Sequence, residues 1–354
     1  MRTYFATLIL SALAAFVLTP VARWLAFRFG AIDLPNERKI HRTAMPRLGG
    51  LAVFGGFCFP WIAFYLLDNR VTRTFQNYET LFAVLMTGAT AMLALGVYDD
   101  RYGARASTKF LIQSLIALFL YFGGYRITTL TNPFGPSLQL GWLALPVSVL
   151  WIVGITNALN LLDGIDGLVS GVTACIALSL ALINILAGNV FVALLTLCLT
   201  GACLGFLPFN FSPARIFLGD SGSLFIGVVL ACIGVVSLFK AATATLIVVP
   251  LFIFGLPLFD TMTVMLGRAR RGQSIFQADK SHVHHRLLAL GLNHRQAAYL
   301  LYAIKLLLGG IAVLFSLQQS VPMMLAGSAL VLAAALVICL AWRLTFGKAS
   351  VDDK

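Results

Sequence analysis

The chain has 354 residues, is 60% hydrophobic and only 11% charged, and has a mean hydropathy of +0.92. A soluble protein of this size is normally about a quarter charged, so a soluble enzyme is excluded. The net charge of +12 comes with no basic soluble domain, which makes nucleic-acid binding the weaker reading of that charge.

Apolar runs of roughly the 17–25 residues that span a bilayer as a helix recur along the chain. In order they cover about 4–24, 48–67, 80–97, 108–123, 142–158, 167–187, 189–207, 221–239, 241–266, 297–316 and 321–343. The runs are continuous rather than alternating, which argues against barrel strands. The expected fold is therefore an all-α integral membrane protein. It is a polytopic bundle of about eleven transmembrane helices, one domain over residues 1–354, with an active site at the cytoplasmic face. Met1-Arg2 before an apolar run resembles a signal peptide, but the run is long and ten more follow, so it is expected to stay as the first span. The six cysteines fall in apolar segments without a CxxC pair, which suits small core residues better than a disulfide frame or a zinc site.

Orientation follows from where lysine and arginine lie. With the C-terminus in the cytoplasm, the segments on that side hold 19 of the 25 basic residues, and the opposite side holds five (Arg2, Arg70, Arg73, Arg126, Lys240). Lys305 lies inside a span. Eleven of the thirteen acidic residues and all five histidines also fall inside or near the inner boundary. The chemistry is thus expected where cytosol meets lipid, on a water-soluble substrate.

The first inner loop carries Arg38-Lys39, His41, Pro46-Arg47 and Gly49-Gly50. It reads either as a positively charged topology signal or as a clamp for a lipid phosphate. Asp99-Asp100 closes the third span. Adjacent carboxylates raise each other's pKa unless a cation neutralises them; the plain alternative is a hydrated helix end. Asn157, Asn160, Asp163 and Asp166 are three apart, so a continuous helix would stack all four on one face. Their oxygens are hard ligands suited to Mg²⁺, and the alternative is a polar turn of Asn, Asp and Gly. Asp220, in Gly219-Asp220-Ser221-Gly222-Ser223, reads as a helix N-cap or as part of a phosphate-approach site at a helix N-terminus. The loop from Arg268 to Arg295 holds His282, His284, His285 and Arg286. Without zinc-ligand spacing, these donors suit phosphate and sugar oxygens better than a metal.

These motifs, in this order, resemble the polyprenyl-phosphate N-acetylhexosamine-1-phosphate transferases (glycosyltransferase family 4), nearest to the WecA type that uses undecaprenyl phosphate and UDP-GlcNAc. The resemblance rests on the PxxRKxH…PRxGG loop (Pro35 to Gly50), Val97-Tyr98-Asp99-Asp100, the NxxNxxDGxDG run (Asn157 to Gly167), GDxGS (Gly219 to Ser223) and HxHHR (His282 to Arg286). It implies GlcNAc-1-phosphate transfer from UDP-GlcNAc to undecaprenyl phosphate with release of UMP. It also implies Mg²⁺ as cofactor with Mn²⁺ as a substitute, the bacterial inner membrane as location, and a homodimer as the assembly common among relatives. By the same resemblance Asp220 and Asn160 would hold the metal. Asp99, Asp100, Asp163 and Asp166 would form the catalytic carboxylate set. Arg47, Lys109, Asn157, His282, His284, His285 and Arg286 would bind substrate.

One expectation goes beyond the resemblance. Asp260 and Lys305 each lie about seven or eight residues inside neighbouring spans, roughly 11–12 Å deep at ~1.5 Å per residue. Lone intramembrane charges are rare, so an ion pair between them is expected; the alternative is that Lys305 snorkels and Asp260 bonds locally. Three rival functions are weighed on sequence alone: a sibling transferase with another UDP-N-acetylhexosamine; a secondary transporter, although a transporter places its polar site near the midplane within repeated halves; and a scaffold that has lost activity, against which the intact acidic motifs argue.

Overall fold

The computed structural model of the protein describes residues 1–34, 44–66, 77–130, 137–239, 248–270, 272 and 282–317. The eleventh expected span (321–343), Arg38, Lys39 and His41 lie outside the described residues. The elements are α1 (Arg2–Phe29), β1 (Ile32–Asp33), β2 (Met45–Pro46), α2 (Gly49–Leu66), α3 (Glu79–Tyr102), α4 (Ala106–Phe122), β3 (Thr129–Leu130) and β4 (Leu138–Gln139). They continue with α5 (Ala144–Leu162), α6 (Leu168–Leu186), α7 (Val190–Asn210), α8 (Gly219–Gly234), α9 (Val248–Arg270), α10 (Val283–Ala289) and α11 (His294–Leu317). The strands form two minimal antiparallel pairs, Ile32 with Pro46 and Thr129 with Gln139 among their registers. Among the described residues eight helices are long and apolar enough to cross a membrane, and α2 and α4 are shorter apolar helices. The chain is a multi-pass membrane protein, and these ten helices match the first ten expected spans.

Contacts join the helix ends: Arg47 N–H bonds Ala31 O, Lys109 bonds Asp99, Ala214 N–H bonds Asp166 and Val283 N–H bonds Asp260. The C-terminal ends of α1, α3, α5, α7 and α9 therefore meet the N-terminal ends of α2, α4, α6, α8 and α11 at one end of the bundle, here called the site end. The most enclosed helices are α6, α7 and α8, each about four-fifths buried. Helix α8 packs against α2, α3 and α5 and is the axis around which the site is built.

Glycine permits that closeness. A Cβ at Gly50 would lie 2.2 Å from the Gly222 nitrogen, and one at Gly96 would lie 2.4 Å from the Asp220 carbonyl oxygen. Both clashes are with backbone, so α2 and α3 can approach α8 only where no side chain intervenes. Backbone bonds from Gly49 N–H to Phe217 O (3.1 Å), Gly50 N–H to Leu218 O (2.9 Å) and Phe217 N–H to Pro46 O (2.8 Å) join the Pro46–Gly50 stretch to the entry of α8.

One local expectation is located more closely and two are corrected. Helix α3 runs through Asp99 and Asp100 to Tyr102, so the acidic pair lies in its last turns. The Gly103 N–H, at φ 70°, closes that end on the Asp99 carbonyl. The Asn157–Asp166 run is not one helical face. Helix α5 stops at Leu162, and Asp163 takes φ −75°, ψ 56°. Gly164 N–H then turns back to Leu162 O, and Gly167 adopts φ 78°. Turn-forming Asp and Gly win over helical continuation because their side chains and φ freedom favour the turn. Finally, Asp260 and Lys305 are not partners. Asp260 binds His282 and the Val283 N–H, and Lys305 binds the carbonyls of Phe252 and Ile253.

Candidate active site

Four helices deliver one polar cluster to the site end. Lys109, near the start of α4, places its Nζ between two carboxylates, 2.8 Å from Asp99 Oδ2 and 2.5 Å from Asp220 Oδ2. Asp99 also accepts the Ala104 N–H at 2.5 Å, which ties it to the tight α3–α4 turn. Asn160, in the last turn of α5, donates from Nδ2 to Asp220 Oδ1 (3.0 Å) and Ser223 Oγ (2.9 Å). Asp99, Lys109, Asn160 and Asp220 thus converge although they are up to 121 residues apart in sequence.

Asp100 does a different job. It is 8% exposed and accepts the backbone N–H groups of Asp220 and Ser221, each at 2.9 Å. It caps α8 from a neighbouring helix, satisfying donors that a helix start leaves unpaired and complementing the positive end of the helix. Asp220 itself sits in the first turn, after Leu218 at the N-cap, so its side chain is released for the Lys109–Asn160 cluster. Gly219 has φ 73°, and a Cβ there would lie 2.0 Å from the Arg47 carbonyl and 2.5 Å from Asp100 Oδ2.

Asp163 is half-buried, and its carboxylate has no hydrogen-bond partner among the described residues. Burial, and then the Asp220 and Asp100 carboxylates, push it up to about 8, against the pull of Arg47. Asp166 turns away: its Oδ2 accepts the Ala214 N–H at 3.0 Å and holds the loop between α7 and α8. Asn157 is also apart, donating to Gln113 Oε1 at 2.6 Å and to Val153 O at 2.8 Å, a link between α4 and α5. Arg47 is partly exposed and paired with Asp33 at 2.9 Å.

The histidine element approaches from α9. Asp260 Oδ2 lies 2.8 Å from His282 Nδ1 and its Oδ1 accepts the Val283 N–H at 2.7 Å, so one buried carboxylate fixes both the ring and the start of α10. His284 is 1% exposed, and neither ring nitrogen has a partner among the described residues. Its ring packs on Gly164, where a Cβ would lie 2.0 Å from Nε2, which puts it beside the Asp163 turn. Burial first, then neighbouring His285, holds His284 down to about 4. The His284 and His285 rings are 4.4 Å apart, and Arg286 follows on the same short helix.

Among the described residues, no three His, Cys, Asp or Glu side chains converge as a metal cage. Mg²⁺ does not require such a cage, being commonly held by one or two carboxylates with waters and substrate phosphates. The donors are hard oxygens. The orientation of Asn160 leaves its Oδ1 without a protein donor among the described residues, and Asp99 and Asp220 already converge on a cationic group. The residues present fit such an ion.

Sequence reasoning missed three contributors: Ser223 as a second anchor of Asn160, Gly96 as the point of α3–α8 contact, and Asp260 as the support of His282. Ser223 stands in the GDxGS motif, but the motif does not say which side chain it anchors, and Gly96 carries no signal beyond being small. Asp260 carries one, an intramembrane carboxylate, but charge matching pairs it with Lys305 whereas its partners are His282 and the Val283 N–H.

The family model for glycosyl transferase family 4 matches residues 82–238. The chain is 40% identical over 297 residues to the probable undecaprenyl-phosphate N-acetylglucosaminyl 1-phosphate transferase of Bacillus subtilis, covering 84% of this chain and 80% of that one. It is 35% identical to the decaprenyl-phosphate N-acetylglucosaminephosphotransferase of Mycobacterium tuberculosis, covering 82% and 77%. It is 28% identical to the undecaprenyl-phosphate alpha-N-acetylglucosaminyl 1-phosphate transferase of Escherichia coli K12, covering 85% and 81%.

Proposed function

The chain belongs to glycosyl transferase family 4, and from that premise we propose that it transfers GlcNAc-1-phosphate from UDP-GlcNAc to undecaprenyl phosphate, releasing UMP. The observation that carries this reading is the Asp99–Lys109–Asp220–Asn160 cluster at the end of an otherwise apolar bundle. A lipid phosphate is confined to the membrane surface while a nucleotide sugar comes from water. Their reaction needs charged groups where helix ends meet solvent. A midplane site, as a transporter would use, is not where these residues lie. We infer that the site end faces the cytoplasm from the lysine and arginine distribution, and that the membrane is a bacterial inner membrane from the bacterial relatives.

In the proposed reaction an oxygen of the lipid phosphate attacks the sugar-linked phosphorus. That P–O bond forms as the bond from the same phosphorus to the bridging oxygen breaks, and UMP leaves. Phosphoryl transfer asks for positioning and charge neutralisation more than for covalent chemistry. Asp220 and Asn160 would hold Mg²⁺, which when bound would offset the charge of the diphosphate. Asp99 would orient the acceptor phosphate and take up its proton. Lys109, a compact cation between two carboxylates, would neutralise phosphate oxygens. Asp100 would keep α8 in place, and Asp163, with no protein donor, would be open to metal or substrate. His282, His284, His285 and Arg286 would bound the nucleotide-sugar side.

The test is label transfer from radiolabelled UDP-GlcNAc into butanol-extractable lipid, with UMP measured alongside, using purified protein, undecaprenyl phosphate and Mg²⁺. The expected result is stoichiometric product and UMP. Asp220→Ala should lower the rate on the order of 10³-fold or more, and metal omission should abolish it. Transfer from a different UDP sugar only would correct the donor, and no transfer from any UDP sugar by folded protein would reject the reading.

A further inference from the structure

Lys305 is 0% exposed and lies inside α11, within the membrane-spanning bundle. Its Nζ donates to Phe252 O at 2.6 Å and to Ile253 O, both on α9. Four residues after Ile253 stands Pro257, inside the same helix. Proline has no backbone N–H, so the carbonyl four residues earlier loses its helical donor. In a hydrocarbon setting such a carbonyl must find another partner, and Ile253 is itself fully buried. Lys305 supplies the donor that Pro257 removes.

What lies on either side gives this contact a role. Asp260 follows Pro257 by three residues, under one turn, and holds His282 and Val283. On α11, Tyr302 precedes Lys305 by three residues, on the same face. Its hydroxyl donates to Gly167 O at 2.6 Å, in the turn that carries Asp163 and Asp166. The Tyr302 ring also fills the space where a Cβ on Gly171 would go. One face of α11 therefore grips the acidic turn through Tyr302 and the α9 backbone through Lys305.

We propose that Lys305 is a positioning residue: by replacing the donor missing at Pro257, it sets the course of α9 and so fixes the Asp260–His282 element relative to the Asp163 turn. This rests on the reading of the histidine element as the nucleotide-sugar side of the transferase site. Removing the amine leaves Ile253 O without a donor. Helix α9 can then recover one only by bending differently at Pro257, and that moves Asp260.

The test compares Lys305→Met, Pro257→Ala and the double variant in the full-length protein. Lys305→Met is expected to raise KM for UDP-GlcNAc about tenfold, the scale of a lost supporting contact, with KM for undecaprenyl phosphate changed less than about twofold. Amide hydrogen exchange at 282–289 should rise. Pro257→Ala returns an N–H to Ile253 O, so the double variant should recover close to the KM and exchange of Pro257→Ala alone. A double variant as impaired as the product of the two single effects overturns the proposal, as does an equal rise in both KM values. If Lys305→Met alone does not fold, a folded double variant supports the proposal and an unfolded one overturns it. Wild-type protein that transfers no label defeats the transferase reading, whereas the exchange arm still tests the Lys305–Pro257 link.

Discussion

The two halves of the candidate site are held in place by different means. The acidic half, on α3, α4, α5 and α8, is fixed by backbone. Glycines 50 and 96 let helices touch main chain to main chain, and the Asp100 carboxylate is spent on two N–H groups of α8. The histidine half depends on side chains, with Asp260 holding α10 and Lys305 supporting the helix that carries Asp260. A backbone seam has no rotamers to relax and tolerates no added atom. A side-chain relay can be loosened by degrees. Substitutions in the first half should therefore destabilise the whole bundle, and those in the Asp260–Lys305 relay of the second should tune binding of one substrate.

The harshest way to break the acidic half is Gly50→Ala. One methyl would lie 2.2 Å from the Gly222 nitrogen and 2.4 Å from the Ser221 carbonyl carbon. The helices must separate, which costs about 4 kcal/mol, above the usual range for overpacking because both clashes are with backbone. A large fall in the thermal midpoint of the detergent-solubilised protein is expected, with transfer lost in proportion to folded protein. A variant that kept its midpoint would show that the α2–α8 seam is not rigid.

A milder effect is expected on the histidine side from acid. His284 is held down to about 4 against an ordinary 6.5, so the folded state binds its proton less readily than the unfolded chain. The stability this represents is fully present above about pH 6.5 and is lost as pH falls toward 4. Over that span it amounts to roughly 3 kcal/mol. Thermal midpoints measured from pH 7 down to pH 4 should fall, and His284→Gln should flatten the part due to this ring. If the slope is the same in the variant, another group carries it.

Much of this was legible in the sequence, and the reason is local. Ten apolar runs appear as helices because span length is a property of one segment. The site end is identifiable because helix antiparallelism sorts every motif to one side. The stacked face expected for Asn157 to Asp166 failed because periodicity is blind to Gly164, which must lack a Cβ to admit His284. The Asp260–Lys305 pair failed because charge matching ignored the backbone. A proline inside a span leaves a carbonyl without its donor, and asking which side chain replaces that donor would have directed Lys305 to Ile253. Asp100, by contrast, could not have been separated from Asp99 on sequence grounds. Its partners are N–H groups 120 and 121 residues away.

The finest test of the contrast is Asp260→Asn. The amide keeps the size of the carboxylate and one acceptor oxygen, so the Val283 N–H can stay bonded. The bond to His282 loses its charge assistance and, for one amide orientation, its acceptor. The expected loss is about tenfold in KM for UDP-GlcNAc, with kcat and the thermal midpoint nearly unchanged. A rise in KM for undecaprenyl phosphate instead would place His282 on the lipid side of the site. A collapse of the thermal midpoint would mean that Asp260 holds the bundle itself, and the division between a backbone-fixed half and a side-chain-tuned half would fail at its weakest joint.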